Sequence, residues 1–270
     1  MPELPEVETT RRGISRHVTG HRITDVIVHQ RQLRWPVSHH LRRLLKNRQI
    51  RSVKRRAKYL LFETEAGHMI VHLGMSGSLR IVTGDAPARK HDHVDFVLDE
   101  KILRFHDPRR FGSIHWTRLD PLQHRLLKGL GPEPLSYAFD GQYLHRQAIS
   151  RKVNVKGFIM NSGIVAGVGN IYANEALFLS GIHPQRAANR ISLPRYEKLA
   201  ASIKEVLGTA IRSGGTTLRD FVRENGKPGY FAHRLNVYNR QGEPCPACKS
   251  PIRARVLGQR SSFFCCRCQH

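Results

Sequence analysis

The plainest chemistry lies in the cysteines. Cys245-x2-Cys248 and Cys265-x2-Cys268 form two pairs separated by sixteen residues, a spacing at which two tight turns each bring two thiolates to one tetrahedral ion. All five cysteines lie beyond Gln241, and such crowding argues for one structural zinc ion rather than a disulfide framework. Cys266 competes with Cys265 for a place, but Cys265 keeps the CxxC spacing. Four sulfurs leave no open coordination position, so the ion is not expected to be catalytic. The intervening RARVLGQRSSFF reads as a two-stranded finger that presents Arg260 to a phosphate.

Three other stretches carry polar groups in patterns worth weighing. VAGVGNIYANEAL at 165–177 sets a glycine-rich turn before a helix starting near Asn170. That arrangement makes an anion site from main-chain N–H groups, or serves helix packing alone. HDH at 91–93 could suggest a metal pair, but its spacing suits a site poorly and Asp95 offers His93 a simpler structural partner. MPELPEVETTRRG reads as a helix start, with Pro5 in the first turn and acidic residues at the positive end of the dipole. This accounts for Glu3, Glu6 and Glu8, and leaves Pro2 unexplained.

The elements that must position these groups fall into three parts. A helix over 1–18 is followed to about residue 117 by short strands, RITDVIVH, SVKRRAKYLLFET, HMIVHLG, SLRIV, HVDFVLD and KILRFH, which predict a β-sandwich or barrel. A short helix fits 39–46. GPEPLS then marks a linker, and helical patterns cover 140–150, 152–162, 170–180 and 194–212. The expected division is a β-rich domain over 1–131, a linker and helical domain over 132–236 and a finger over 237–270.

The chain has 270 residues, with 45 Lys plus Arg against 21 Asp plus Glu and a formal charge of +24. An excess of that size calls for an anionic partner, and nucleic acid is the first candidate. An anionic membrane surface is the second, but there is neither a basic amphipathic helix with a strong apolar face nor a lipidation motif. No apolar run could span a bilayer or act as a signal peptide, so the expectation is a cytoplasmic protein.

MPELPEVETTRRG, RRAKYLL, HLGMSGSLR, KHDHVD, DPRRFG, GPEPLS, GVGNIYANEALF, GGTTLRDF, GKPGYF and the paired cysteines, in that order, resemble bacterial formamidopyrimidine-DNA glycosylase from residue 2 to the end. The resemblance implies an α+β multidomain fold: an N-terminal helix with a two-sheet β-sandwich, a helical domain with a helix-two-turn-helix, and a four-cysteine zinc finger. It implies a monomeric repair enzyme of the bacterial nucleoid that removes oxidised purines from double-stranded DNA and cuts at the abasic site. The endonuclease eight family, which prefers oxidised pyrimidines, is the nearest sibling, and LPEVET with the full DPRRFG favours the purine enzyme. A catalytically silent zinc-finger DNA-binding protein is the competing class; the joint presence of Pro2, Glu3, Lys58 and Arg260 opposes it.

The resemblance also gives Pro2 a role. Once Met1 is removed, Pro2 is a terminal secondary amine able to attack the sugar C1′ and form an iminium. Glu3 corresponds to the acid that protonates the sugar ring oxygen. Glu6 and Glu175 are placed near that amine, with a helix-dipole role the alternative for Glu6. Lys58 corresponds to the proton donor in β-elimination, with phosphate binding equally natural. Arg260 corresponds to the residue of the δ-elimination step and reads as a bidentate phosphate clamp. Met75, Arg109 and Phe111 match the residues that fill the gap left by an extruded base. His91, Arg151, Lys156 and Asn170 are the expected phosphate contacts. Residues 214–229 resemble the loop that closes over the flipped purine. Asn161, where the family carries an acidic residue, Cys266 and His270 are departures.

Overall fold

The computed structural model describes residues 2–215 and 235–270. They fall into two compact units, one reaching to Lys128 and including 213–215, the other formed by 129–212 with 235–270.

In the first unit, α1 (Leu4–Val18) is followed by β1 (Arg22–Ile23), β2 (Asp25–Val28), α2 (Leu41–Leu45), β3 (Arg48–Arg56), β4 (Tyr59–Thr64), β5 (Gly67–His72), β6 (Ser78–Thr83), β7 (Asp92–Val97), β8 (Lys101–His106) and β9 (Ser113–Thr117). Two antiparallel sheets form, ordered β1-β3-β4-β5-β9 and β2-β7-β8-β6. Their inner faces enclose Phe62, Met69, Val71, Phe96, Leu103 and Phe105, and α1 adds Val7, Ile14 and Val18 to the same core. These three residues share one face of the helix.

Two runs read as single strands divide. RITDVIVH breaks at Thr24 and feeds both sheets, as a chain does where it turns a sandwich corner. SVKRRAKYLLFET is a hairpin, with Arg56 opposite Tyr59 across the Ala57–Lys58 turn; Ala57 takes φ 52° there. Strand β9 follows the DPRRFG loop and completes the first sheet's edge beside β5.

In the second unit, α3 (Gly141–Ala148), α4 (Val155–Met160), α5 (Asn170–Ser180) and α6 (Leu193–Arg212) precede a ribbon of β10 (Arg253–Leu257) and β11 (Arg260–Phe264). Asp140 and Asn154 cap α3 and α4 through Tyr143 N and Gly157 N, which trims the expected 152–162 helix to its capped length. Buried residues lie all round α5, as in a helix at the centre of a domain. Phe178 of α5 packs in one cluster with Val237, Cys245, Ile252, Phe263 and Cys265. Among the described residues, no helix is long and apolar enough to cross a membrane.

Candidate active site and metal centre

Helix α1 begins directly after the two residues of most chemical interest. Pro2 is buried, and Glu3 and Glu6 are each only 2% exposed. Glu3 is the N-cap in extended conformation, and its main-chain N–H donates to Glu6 Oε2 at 2.9 Å. Gly215 packs on the other side of Glu6. One turn on, Glu8 accepts from Arg11, Arg12 and Arg55. Burial opposes its charge, but hydrogen bonds from Arg11 and Arg12 and the charges of Arg11 and Arg55 hold Glu8 below the usual carboxylate range. Arg55 also donates to the Ala57 carbonyl. One guanidinium therefore ties α1 to the turn that carries Lys58.

His72, at the end of β5 and paired with Tyr59, is lowered to about 4, by burial first and then by the charges of Lys58, Arg34 and His115. A neutral imidazole suits its bond, since Nδ1 accepts the Gly74 N–H at 3.0 Å. Beyond it opens a cavity of about 650 Å³ lined by Gln32, Arg34, Gly74, Met75, Arg109 and Phe111, among others. The structure thus brings Met75, Arg109 and Phe111 to one place from two separate loops. Phe111 is 42% exposed, with the Arg109 guanidinium stacked 5.1 Å from its ring centre.

His91 stands at φ 74°, half-buried, its ring near those of His93 and His106. The expected His93–Asp95 pairing does not form. His93 Nε2 donates instead to the Asp107 carbonyl at 2.8 Å, and Asp95 is taken by Arg104 in a two-point bond and by His29.

In the second unit Arg151 is exposed. Arg260 is exposed next to the Gly258–Gln259 turn, whose two positive φ values give the tight hairpin that a two-residue loop requires. The two-stranded finger is therefore present. Asn170 opens α5 as expected, with its amide nitrogen on the Ser261 carbonyl at 3.0 Å. Lys156, expected among the phosphate contacts, is held inside the protein. It is 1% exposed, and its ammonium donates to Ser261 O and Ser262 Oγ at 2.8 and 2.7 Å. The carboxylate of Glu175 accepts Asn236 N and Nδ2, Val237 N and Tyr238 N at 2.7–2.9 Å. Four donors from 236–238 occupy it, and it anchors that segment.

The sulfurs of Cys245, Cys248, Cys265 and Cys268 all lie within 4.8 Å of one another, with Cys245–Cys268 at 3.9 Å and Cys248–Cys265 at 3.4 Å. A tetrahedral zinc with Zn–S of about 2.3 Å needs sulfurs about 3.8 Å apart, so the four fit the ion. Crowding sets the thiols against one another's ionisation: interaction with Cys248 pushes Cys268 up to about 12. Cys266 is exposed and stands outside the cluster.

Three family models cover the chain: the formamidopyrimidine-DNA glycosylase N-terminal domain over residues 1–114, the H2TH domain of the same enzyme over 130–222, and a zinc finger found in FPG and IleRS over 242–270. The formamidopyrimidine-DNA glycosylase of Methylococcus capsulatus is 59% identical over 270 residues, the whole of both chains. The chain belongs to the formamidopyrimidine-DNA glycosylase family. Solved structures agree. The MutM (Fpg) protein of Thermus thermophilus superposes with a TM-score of 0.89 at 39% identity, covering 99% of this chain and 98% of that one. Lactococcus lactis Fpg in complex with DNA containing an abasic site gives 0.91 at 33%, covering 99% of each.

Within this family fold, sequence reasoning missed the residues that hold the site rather than form it: Arg55, His72, Ser76 and Asp107. Only Asp107 carries a signal, as the Asp of an Asp-Pro turn. The expected lesion loop at 214–229 lies almost wholly outside the described residues.

Proposed function

We propose that this glycosylase acts on double-stranded DNA in the bacterial cytoplasm, at the nucleoid, removing 8-oxoguanine and formamidopyrimidines and then opening the strand. The observation that carries the reading is the burial of Pro2 beside Glu3 and Glu6 at the positive end of α1. After removal of Met1, the Pro2 nitrogen attacks C1′ as the bond to the base breaks. The ring opens with a proton from Glu3 to the sugar oxygen, leaving an iminium between Pro2 and C1′. Its positive charge acidifies C2′; loss of that proton expels the 3′ phosphate, and a second elimination expels the 5′ phosphate. Lys58 serves these steps as proton donor or phosphate partner. Arg260 holds a phosphate in a two-point clamp, since a guanidinium is too weak an acid to give up a proton.

Met75, Arg109 and Phe111 fill the gap left by the extruded nucleotide. His91, Arg151 and Asn170 contact backbone phosphates, and Glu6 orients the amine. Zinc, held by Cys245, Cys248, Cys265 and Cys268, supplies no chemistry and fixes the finger.

Borohydride trapping on a duplex with 8-oxoguanine opposite cytosine tests this. The processed chain is expected to form a covalent adduct, and Pro2→Gly with Met1 retained is expected to form none. A salt-sensitive gel shift with no cleavage would favour the silent DNA-binding module instead. Faster turnover of oxidised pyrimidines would favour the endonuclease eight specificity.

A further inference from the structure

Asp107 is fully buried and takes no part in the chemistry or the DNA contacts assigned above. Its Oδ1 accepts the Ser76 hydroxyl at 2.7 Å and the Arg109 N–H at 3.3 Å, and its Oδ2 accepts the Gly112 N–H at 2.7 Å. Ser76 Oγ in turn accepts from Arg109 N at 3.2 Å. The main chain of Asp107 extends the hub: its N–H donates to the His91 carbonyl and its carbonyl accepts from Arg110 N and His93 Nε2. Ser76 follows Met75 directly, while Arg109 and Gly112 bracket the loop that ends in Phe111.

The same two loops touch through glycines. Gly74 takes φ 67°, and a Cβ there would lie 2.4 Å from Gly112 N and from the Phe111 carbonyl carbon. At Gly112 a Cβ would meet the Phe105 ring at 2.6 Å and the His72 carbonyl at 2.9 Å. Backbone contact this close permits no side chain between the loops. Met75, Arg109 and Phe111 are thereby mounted on one block.

We propose that Asp107 and Ser76 are positioning residues that lock the Met75 loop and the Arg109–Phe111 loop into a single wedge, and that base extrusion depends on that lock. This rests on the reading that these three side chains enter the duplex. A lone abasic nucleotide in a single strand has no stacked neighbour pair to be forced apart, so its cleavage needs the amine but not the wedge. A buried charge-assisted bond is worth about tenfold or more in the step that depends on it.

The test uses the full zinc-loaded chain with Ser76→Ala and Asp107→Asn. Two substrates are compared: a duplex with 8-oxoguanine opposite cytosine, and a single-stranded oligonucleotide with a preformed abasic site. Both variants are expected to lose about tenfold or more on the duplex and to stay within about twofold on the single strand. A 2-aminopurine beside the lesion, which brightens when unstacked, should stay dim with the variants although gel shifts still show binding. Equal losses on both substrates, or none on either, would overturn the proposal. Should Asp107→Asn fail to melt cooperatively, Ser76→Ala decides alone. If the wild-type chain leaves the duplex uncut, the functional reading fails, not the lock.

Discussion

Lys156 donates its buried ammonium to Ser262 Oγ at 2.7 Å, joining helix α4 to strand β11 of the finger across more than a hundred residues of sequence. The same nitrogen reaches the Ser261 carbonyl, and Asn170 holds that carbonyl from the start of α5.

Lys156→Met should therefore act first on stability. Losing a charged donor shared by the Ser261 carbonyl and the buried Ser262 hydroxyl is expected to cost about 2–3 kcal/mol, read as a lower midpoint in denaturant. A lysine that worked only through a DNA phosphate would behave otherwise. Its loss would leave the midpoint unchanged and lower the salt slope of DNA binding by about one.

Acid should weaken the first unit through two histidines. His72 and His115 are both lowered to about 4, in each case by burial first. Between about pH 6.5 and that value the unfolded chain binds protons that the folded chain refuses. Their contribution is thus present above the ordinary imidazole range and is lost as pH falls toward 4. For His72 the ceiling is about 3 kcal/mol. Denaturation of the wild type at pH 7 and pH 5 should differ, and His72→Asn, whose amide oxygen can still accept from Gly74 N, should flatten the difference. An unchanged slope would remove His72 as its source.

Zinc removal should reach beyond the finger. Phe178 shares a cluster with Cys245 and Cys265, Asn174 Oδ1 accepts the Phe263 N–H at 2.8 Å, and Gln269 bridges Cys265 N to the Ile182 carbonyl. With a chelator or Cys248→Ser, hydrogen exchange is expected to rise in the C-terminal half of α5 as well as in 235–270, while β3, β4 and β5 keep their protection. Exchange confined to 242–270 would make the finger a free-standing module.

The cysteine spacing, the helical face of α1, the strand-rich run and the starts of α3, α5 and α6 were legible because each is a local pattern of side chains. Glu175 was not. Its partners at 236–238 lie some sixty residues away, and nothing in a single sequence says that a helix carboxylate will be filled by distant main-chain donors. Asp107 was hidden for a related reason: the family likeness marks the side chains that would touch DNA, whereas the carboxylate beneath them faces inward. His93 shows the limit of adjacency as a guide. The nearest acid in sequence, Asp95, was already committed to Arg104 by the cross-strand register.

The ribbon of β10 and β11 pairs Arg253 with Phe264 at one end and Leu257 with Arg260 at the other, a length of roughly 13 Å at the usual rise per residue. Cys265 follows at the end away from the turn. The cysteine sulfurs and the Arg260 guanidinium thus lie toward opposite ends of one ribbon. With Arg260 as the proposed phosphate clamp, a tilt of the ribbon caused by oxidation of a single thiolate would displace that clamp, so an enzyme acting on oxidised purines would itself be exposed to the same oxidants at the root of its finger.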